Sequence, residues 1–198
     1  MYNPNEANII KESSYGYHLI PIQDEMLSHR EVELVGEVDA ATVNALTRQL
    51  RYLQRQDPEA PVTLYINSPG GSVDSGMALY DVIQAVSCPV RTVCVGLAAS
   101  MAALLFVSGA KRDMLPHSRL MIHDPLIVQT GGSALKLKAV SDDLMETRQI
   151  IAKVIADHAG KSTEEILAKT ASDSYFRAEE AVEFGLADRI ITSLADDR

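Results

Sequence analysis

Two stretches with the same pattern decide the fold: residues 62–71 read VTLYINSPGG, and residues 90–102 read VRTVCVGLAASMA. Each begins with β-branched and apolar residues, which predict buried strands at 62–67 and 90–95, and then reaches small residues that favour a tight turn, at 68–71 and from Gly96. Apolar residues at helical spacing follow each turn. Strand, helix, strand and helix in this order predict right-handed βαβ crossovers, and therefore an α/β fold with a mainly parallel sheet.

The chain has 198 residues, which is enough for one domain with a substantial core. We predict an irregular N-terminal arm over residues 1–30 and a single domain over residues 31–198. A helix predicted over residues 133–158 is too long for a compact domain of this size. We therefore expect a projecting handle over about residues 124–160 that packs against another subunit.

Hydrophobic spacing and turn residues predict the remaining elements. Asp39 is a candidate N-cap for a helix that ends at Asp57. The other predicted elements are strands at 32–35, 112–115, 119–122 and 189–192 and helices at 163–169 and 178–184. The predicted apolar faces of the first two helices are Val43, Leu46, Leu50 and Leu53, and then Val73, Met77, Tyr80 and Ile83.

Composition and charge argue against several classes of function. The net charge of −9 disfavours nucleic acid and acidic membrane surfaces as partners. The longest apolar stretch, residues 93–107, is too short and too interrupted to span a bilayer. The five histidines and two cysteines show no metal-ligand spacing, so we expect no metal site. Without a signal-peptide pattern, we expect a cytoplasmic protein.

Ser100 is the candidate nucleophile, because it lies where a buried strand turns into an alanine-rich helix. Small neighbours allow a substrate backbone to approach, and a helix N-terminus offers free N–H groups to an anion. The N–H of Met101 can point at the oxyanion that forms when Ser100 attacks a carbonyl. Taken alone, the segment around Ser100 favours a simpler role, since capping a helix is the commoner task of such a serine.

Two further motifs reach the same edge of the sheet, where active sites of open α/β sheets gather. The segment 67–71 can expose a second oxyanion donor, or it can be only a tight turn. His123 ends a strand and can take a proton from Ser100, or it can be a surface histidine. Among possible orienting acids, Asp124 points away from His123 in an extended strand, whereas Asp173 lies in a polar loop that can fold back.

Four motifs carry a resemblance to the proteolytic subunit of the Clp protease, and together they are specific because they occur in the same order. The similarity runs from about Val32 to Thr192. The resemblance implies a crotonase-like fold with a protruding handle helix, a catalytic triad of Ser100, His123 and Asp173, and an oxyanion hole from the N–H groups of Gly71 and Met101. The motifs are NSPGG at 67–71, AASMA at 98–102, MIH at 121–123 and AEEAVEFGLAD at 178–188.

The same resemblance implies an assembly and a substrate. Subunits of this family form two stacked seven-membered rings around a chamber, and an AAA+ unfoldase of the ClpX, ClpA or ClpC type feeds unfolded proteins into it. The chain needs no cofactor of its own, because the unfoldase binds the ATP and this sequence has no phosphate-binding loop. Two alternatives are a regulatory or structural ring subunit, and an acyl-CoA-handling enzyme of the crotonase superfamily, which would use a glutamate.

Four departures from the family pattern suggest a divergent paralogue. Asp124 stands where glutamine is usual, and it could raise the basicity of His123. Ala171 and Ser172 replace a charged pair whose arginine links the rings, and Thr63 replaces an aromatic residue of the unfoldase-docking pocket. The loop between the serine and the histidine is also short. We expect such a subunit to need a second, more typical ClpP-type subunit for activity, or an atypical unfoldase.

Overall fold

A sheet of seven strands, flanked by helices, organises the fold. The computed structural model describes residues 7–127 and 130–195. In chain order the elements are β1 (Asn8–Ser13), β2 (Gly16–Pro21), α1 (Ile22–Ser28), β3 (Glu31–Val38), α2 (Ala40–Gln56), β4 (Val62–Gly71), α3 (Val73–Ala85), β5 (Val90–Ala99), α4 (Met101–Val107), β6 (Lys111–Met114), β7 (Arg119–Ile122), α5 (Ala134–Ala159), α6 (Thr163–Thr170), β8 (Ser174–Arg177), α7 (Ala178–Phe184) and β9 (Arg189–Ile190).

The sheet is mainly parallel, as the sequence predicts. Its main path runs β3-β4-β5-β6-β9, and β7 joins it beside β5 and carries β8. All of these pairs are parallel except β7 with β8. Helices α2 and α3 connect successive parallel strands, which are the expected βαβ units. The prediction of an α/β, crotonase-like fold is confirmed.

Helix α2 forms as its spacing predicts, and it packs on the sheet. The Asp39 carboxylate accepts the Thr42 N–H at 2.8 Å, which satisfies one of the free donors of the first turn. The helix ends at Gln56, and the N–H of the next residue, Asp57, still donates to the Leu53 carbonyl. The buried face consists of the predicted residues Val43, Leu46, Leu50 and Leu53.

The predicted buried face of α3 is wrong in part. Its fully buried residues are Gly76, Leu79 and Ile83, whereas Met77 and Tyr80 are only partly buried. The reason is the buried side chain of Met101, which occupies the space beside Gly76: a Cβ there would lie 2.2 Å from the Met101 Cγ. Gly76 is therefore the residue of α3 that leaves room for the Met101 side chain beside the helix.

Strands β4 and β5 are longer than predicted. Turns were expected at residues 68–71 and from Gly96, but both strands run on through these positions. The register shifts between Ile66 and Ser68 absorb the irregular backbone, and Gly96 takes a φ of 97°. Such bulges bend a strand without ending its pairing, which is why the small residues do not act as turns here.

The N-terminal region is more regular than predicted. Residues 8–21 form an antiparallel hairpin, β1 with β2, and α1 follows directly. The expectation of irregular backbone is therefore wrong for these residues, because a two-residue turn at Ser14 and Tyr15 closes the hairpin, and Gly16, with a φ of 117°, begins β2. Residues 1–6 of the predicted arm lie outside the described part, and the domain boundary at residue 31 stays a prediction.

Helix α5 is the predicted handle helix. Ser133 caps its start, and Gly160 ends it in the left-handed conformation with a φ of 64°. Only its C-terminal half has buried residues, from Ile151 onward, so the N-terminal half extends away from the core. Residues 128–129 of the expected handle region lie outside the described part. Within residues 7–127 and 130–195, no helix combines the length and the apolar character that a membrane span requires.

Candidate active site

Ser100 occupies a strained turn between β5 and α4. Its φ of 55° and ψ of −123° are unusual for a residue with a side chain, and such strain typically costs on the order of 1–3 kcal/mol. Its N–H donates to the Met121 carbonyl at 2.7 Å, which ties the turn to β7. The Ser100 side chain makes no capping hydrogen bond to α4. The simpler capping role is therefore wrong for the hydroxyl.

The Ser100 hydroxyl lies against His123 instead. The distance from the Ser100 Oγ to the His123 Nε2 is 2.8 Å, the normal length for a strong hydrogen bond. His123 follows β7 directly, and its side chain is 17% exposed, so the ring is held on most sides. This pairing meets the geometric requirement for a nucleophile and its general base.

Asp173 lies on the other side of the imidazole. Its Oδ1 is 3.5 Å from the His123 Nδ1, which is longer than a normal hydrogen bond, and its side chain is 61% exposed. The pair is thus in ion-pair range but loose. Catalytic hydrogen bonds are often long in unliganded enzymes and tighten when substrate binds.

Strand β8 brings Asp173 to this position, and the sequence reasoning missed it. The segment was predicted as a polar loop, but Ser174 pairs with Ile122 and Tyr175 pairs with Met121 in an antiparallel ladder. Asp173, the residue before β8, therefore lies beside His123, the residue after β7. The signal was the pair of adjacent aromatic residues in SYFR, because aromatic residues are enriched in strands, although the segment is short.

Gly70 and Gly71 allow β3, β4 and the Ser100 turn to approach each other closely. A Cβ on Gly70 would lie 2.6 Å from the Ala99 carbonyl oxygen, and one on Gly71 would lie 2.4 Å from the Val38 oxygen. Both glycines also have a positive φ, 92° and 154°. A side chain at either position would push the backbone apart, so the contact requires glycine.

Two polar side chains support this region, and the sequence reasoning assigned neither a role. The buried Ser68 hydroxyl accepts the Gly70 N–H at 3.1 Å, and the Asn67 side chain accepts the Leu97 N–H at 3.3 Å. The first bond orients the glycine segment, and the second spans the bulge at Gly96. The signal was available, because serine and asparagine before Pro-Gly commonly bond to nearby backbone.

Met101 begins α4 directly after Ser100 and is buried. As the first residue of the helix, its N–H has no carbonyl four residues earlier within the helix to bond with. The predicted oxyanion residues Gly71 and Met101 thus lie on the two segments that meet at Ser100. Their roles in binding an oxyanion stay predictions.

The cavity beside Ser100 is small. It has a volume of about 20 Å³, room for a single water molecule. A larger groove of about 420 Å³ lies along β3, β4 and β5 and is lined by Glu33, Tyr65 and Asn67, with no paired nucleophile and base among its lining residues. The residues that line the small cavity are Val73, Ser100, Met101, Leu104, Ile122, His123, Pro125, Ile151 and Ile155.

Asp124 forms an ion pair with Arg148 of α5. Its Oδ2 accepts a hydrogen bond from the Arg148 Nε at 2.6 Å. The idea that Asp124 raises the basicity of His123 stays a prediction, and the contact that the structure shows for this carboxylate is the one with Arg148.

The cysteines do not compete with Ser100 as nucleophiles. Both are buried, and burial raises the pKa of the Cys94 thiol to about 11. Among the described residues, no group of three histidine, cysteine, aspartate or glutamate side chains is placed to hold a metal ion.

A strained serine at a strand-to-helix turn, bonded to a histidine on the neighbouring strand of an α/β sheet, is the arrangement used by serine hydrolases. Comparison with protein families specifies the class further, because the family model described as Clp protease matches residues 14–194. The chain belongs to the Clp protease family. Membership of this family implies a serine peptidase. Members of the family in general form ring oligomers and work with unfoldase partners.

Proposed function

We propose that this protein is a serine endopeptidase subunit of a compartmentalised protease that hydrolyses unfolded polypeptides to short peptides. Ser100 is the nucleophile and His123 is its general base. The observation that carries this proposal is the 2.8 Å distance between the Ser100 Oγ and the His123 Nε2. Membership of the Clp protease family supports the same chemistry.

The proposed reaction has two halves. The His123 Nε2 takes the proton of Ser100 while the Oγ attacks the peptide carbonyl, and the N–H groups of Gly71 and Met101 stabilise the oxyanion. The protonated imidazole then gives its proton to the leaving amine, which leaves an acyl group on Ser100. A water molecule, deprotonated by His123, hydrolyses this ester and restores the serine. Asp173 orients the imidazole and stabilises its charged form.

The proposal extends to the assembly. Two seven-membered rings would enclose the active sites, and an AAA+ unfoldase would supply unfolded chains with its own ATP. A polypeptide substrate would lie across the small cavity beside Ser100, because this cavity has room for only a single water molecule. An acyl-CoA-handling enzyme is less well supported, because no glutamate is among the residues that line this cavity.

A regulatory ring subunit is the second candidate, and one observation favours it. The 3.5 Å separation of the His123 Nδ1 from the Asp173 Oδ1 leaves the imidazole loosely oriented. In such a subunit, contact with a partner paralogue would tighten the triad. Its own Ser100 would then contribute to cleavage only within a mixed ring.

A fluorophosphonate probe tests the main proposal directly. We expect the probe to label the wild-type protein at Ser100, and expect Ser100→Ala and His123→Ala to lose the label. Ser108→Ala is a matched control, because that hydroxyl is buried and bonds to the Leu105 carbonyl. Labelling that persists in Ser100→Ala, or that never occurs in the wild type even in mixed rings, would contradict the proposal.

A further inference from the structure

Asp124, the residue directly after His123, forms an ion pair with Arg148 of α5. The Arg148 Nε donates to the Asp124 Oδ2 at 2.6 Å, within the range of strong charge-assisted hydrogen bonds. The two side chains are 22% and 31% exposed for Arg148 and Asp124. The pair is therefore well shielded from solvent, unlike the exposed ion pairs elsewhere on α5, such as Lys153 with Asp157.

The pair also connects to the end of α6 through two backbone carbonyls. The Asp124 N–H donates to the Thr170 carbonyl at 2.7 Å, and the Arg148 Nη2 donates to the Leu167 carbonyl at 3.2 Å. Three separate segments thus meet here: the residues after β7, the middle of α5, and the last turn of α6. The two α6 carbonyls lie where a helix leaves its acceptors without intrahelical partners, so the contacts also complete the helix end.

These contacts hold the two segments that carry His123 and Asp173, whose side chains are loosely paired. His123 immediately precedes Asp124, and Asp173 lies three residues after Thr170. The separation of the imidazole from its carboxylate therefore depends on how far the Asp124 segment lies from the end of α6. A hydrogen bond joins these two segments, and Arg148 bonds to both of them.

We propose that Asp124 and Arg148 are positioning residues that set the geometry of His123 and Asp173 from the handle helix. This inference rests on the proposed function. Arg148 lies in α5, three residues before Ile151, a residue of the cavity beside Ser100. The pair therefore links the orientation of the handle helix to the active site, and a shift of α5 is transmitted to the triad through Asp124.

The shielding of the pair from solvent agrees with a positioning role more than with a stabilising one. The Asp124 Oδ1 is buried and has no hydrogen-bond partner among the described residues. A shielded carboxylate with one unsatisfied oxygen loses solvation that a single hydrogen bond only partly returns. Removing either partner leaves the other charge unpaired in this setting, so the local backbone will move.

The test uses saturation kinetics of fluorophosphonate labelling at Ser100, which separate the maximal labelling rate from the half-saturating probe concentration. We expect Arg148→Met and Asp124→Ala each to lower the maximal rate roughly tenfold or more, because small misplacements of catalytic groups are costly. The half-saturating concentration should stay within about twofold, since neither side chain lines the cavity. The maximal labelling rate of the double variant should be no lower than that of either single variant, because both single substitutions remove the same interaction.

Two further variants make the role specific. Arg148→Lys keeps the charge and one donor, so its rate should lie between those of the wild type and Arg148→Met. Lys153→Met is the matched control, because it removes an exposed ion pair of the same helix by the same substitution, and its rate should equal that of the wild type. If Arg148→Met does not fold, Asp124→Asn and Arg148→Lys carry the same comparison.

The outcomes separate the inference from the proposed function. A wild type without Ser100-dependent labelling, both alone and in mixed rings with a second ClpP-type subunit, overturns both. A labelled wild type whose Arg148→Met and Lys153→Met variants react at equal maximal rates overturns the positioning role alone. The positioning role is also overturned if Arg148→Met raises only the half-saturating probe concentration and keeps the maximal labelling rate. That result would assign Arg148 to probe binding.

Discussion

Among single residues, the turn at Ser100 shows how a strained backbone is held in place. Its N–H bonds to β7, its carbonyl accepts from Ala103 in the first turn of α4, and Gly70 packs against it without a side chain between them. Strain of this kind persists only where the surroundings determine the conformation. The serine is therefore positioned by its neighbours in space, and Gly70 is the neighbour with the least freedom to change.

Gly70→Ala is expected to damage both stability and labelling. The new Cβ would lie 2.6 Å from the Ala99 oxygen and 2.8 Å from the Ser100 Cβ, and the φ of 92° is itself unfavourable for alanine. We expect a loss of about 1–3 kcal/mol in the free energy of unfolding, measured by urea denaturation, and loss of probe labelling at Ser100. Gly131→Ala is the control, because a Cβ there meets nothing within 4 Å. Wild-type labelling in Gly70→Ala would show that this contact does not position the serine.

His158 is expected to make stability depend on pH. Burial, and then the nearby Arg112 charge, lower its pKa below the ordinary value of 6.5. The unfolded chain therefore binds a proton more readily, so the stability from this residue is full above about pH 6.5 and falls as the pH drops toward the folded-state pKa. In His158→Gln, the decrease in melting temperature between pH 7.5 and 5.5 should be smaller than in the wild type. The exposed His117 provides the control: an equal reduction in His117→Gln would contradict the assignment.

Among the elements, helices with a clear apolar face could be predicted, whereas pairing between strands could not. Helix α2 was predicted with its cap and its buried face, because both depend on residues a few positions apart. Strand β8 was missed because its pairing with β7 joins residues more than 50 positions apart, and four residues carry little pattern. The site residues could be proposed in order, but the spacing of His123 and Asp173 depends on that unpredicted strand.

Arg30 connects elements in a way that local patterns do not reveal. It has a φ of 62°, and its guanidinium donates to four backbone carbonyls at the end of α2 and in the following turn. The side chain thus substitutes for the partners that a helix end lacks. The four acceptors belong to Leu53, Asp57, Ala60 and Pro61.

Arg30→Met should destabilise the fold without changing the site. The substitution keeps most of the aliphatic chain but removes all four donated bonds, and some of these acceptors are partly shielded. We expect a loss of about 2 kcal/mol in the free energy of unfolding, measured by urea denaturation, with labelling of Ser100 unchanged below the transition. Arg55→Met, at an exposed position of α2, should change stability by less than about 0.5 kcal/mol. Equal losses in the two variants would mean that the bonds of Arg30 contribute nothing specific.

The whole molecule presents a helix that is longer than its own core can cover. The N-terminal half of α5 exposes several large apolar side chains, which would be costly on a surface in contact only with water. These side chains are the physical reason to expect that the handle contacts another subunit. They are Leu135, Leu137 and Met145, exposed by 81%, 41% and 54%.

Leu135→Glu is expected to weaken self-association and leave the subunit folded. The side chain makes little contact within its own chain, so the change should not alter the melting temperature of the isolated subunit by more than a few degrees. Native mass spectrometry should show smaller assemblies than for the wild type. Ala168→Glu is the matched control, since it places the same charge at an exposed apolar position of α6. Assemblies of unchanged size in Leu135→Glu would show that the handle helix does not contact another subunit at Leu135.

Activity of the complete assembly is expected to depend on a second subunit. Ala171 and Ser172, just before Asp173, have no charge with which to link one ring to the other, and Asp173 itself is loosely paired with His123. We therefore expect the protein alone to show little peptidase activity or incomplete rings, measured by native mass spectrometry with a fluorogenic peptide. Addition of a more typical ClpP-type subunit should raise the activity.

With the serine of that partner replaced by alanine, the remaining activity reports on Ser100 alone, and Ser100→Ala in the same mixture should abolish it. A fully active assembly of fourteen copies of this chain by itself would contradict this dependence, because it would show that the uncharged segment before Asp173 is sufficient to align the triad.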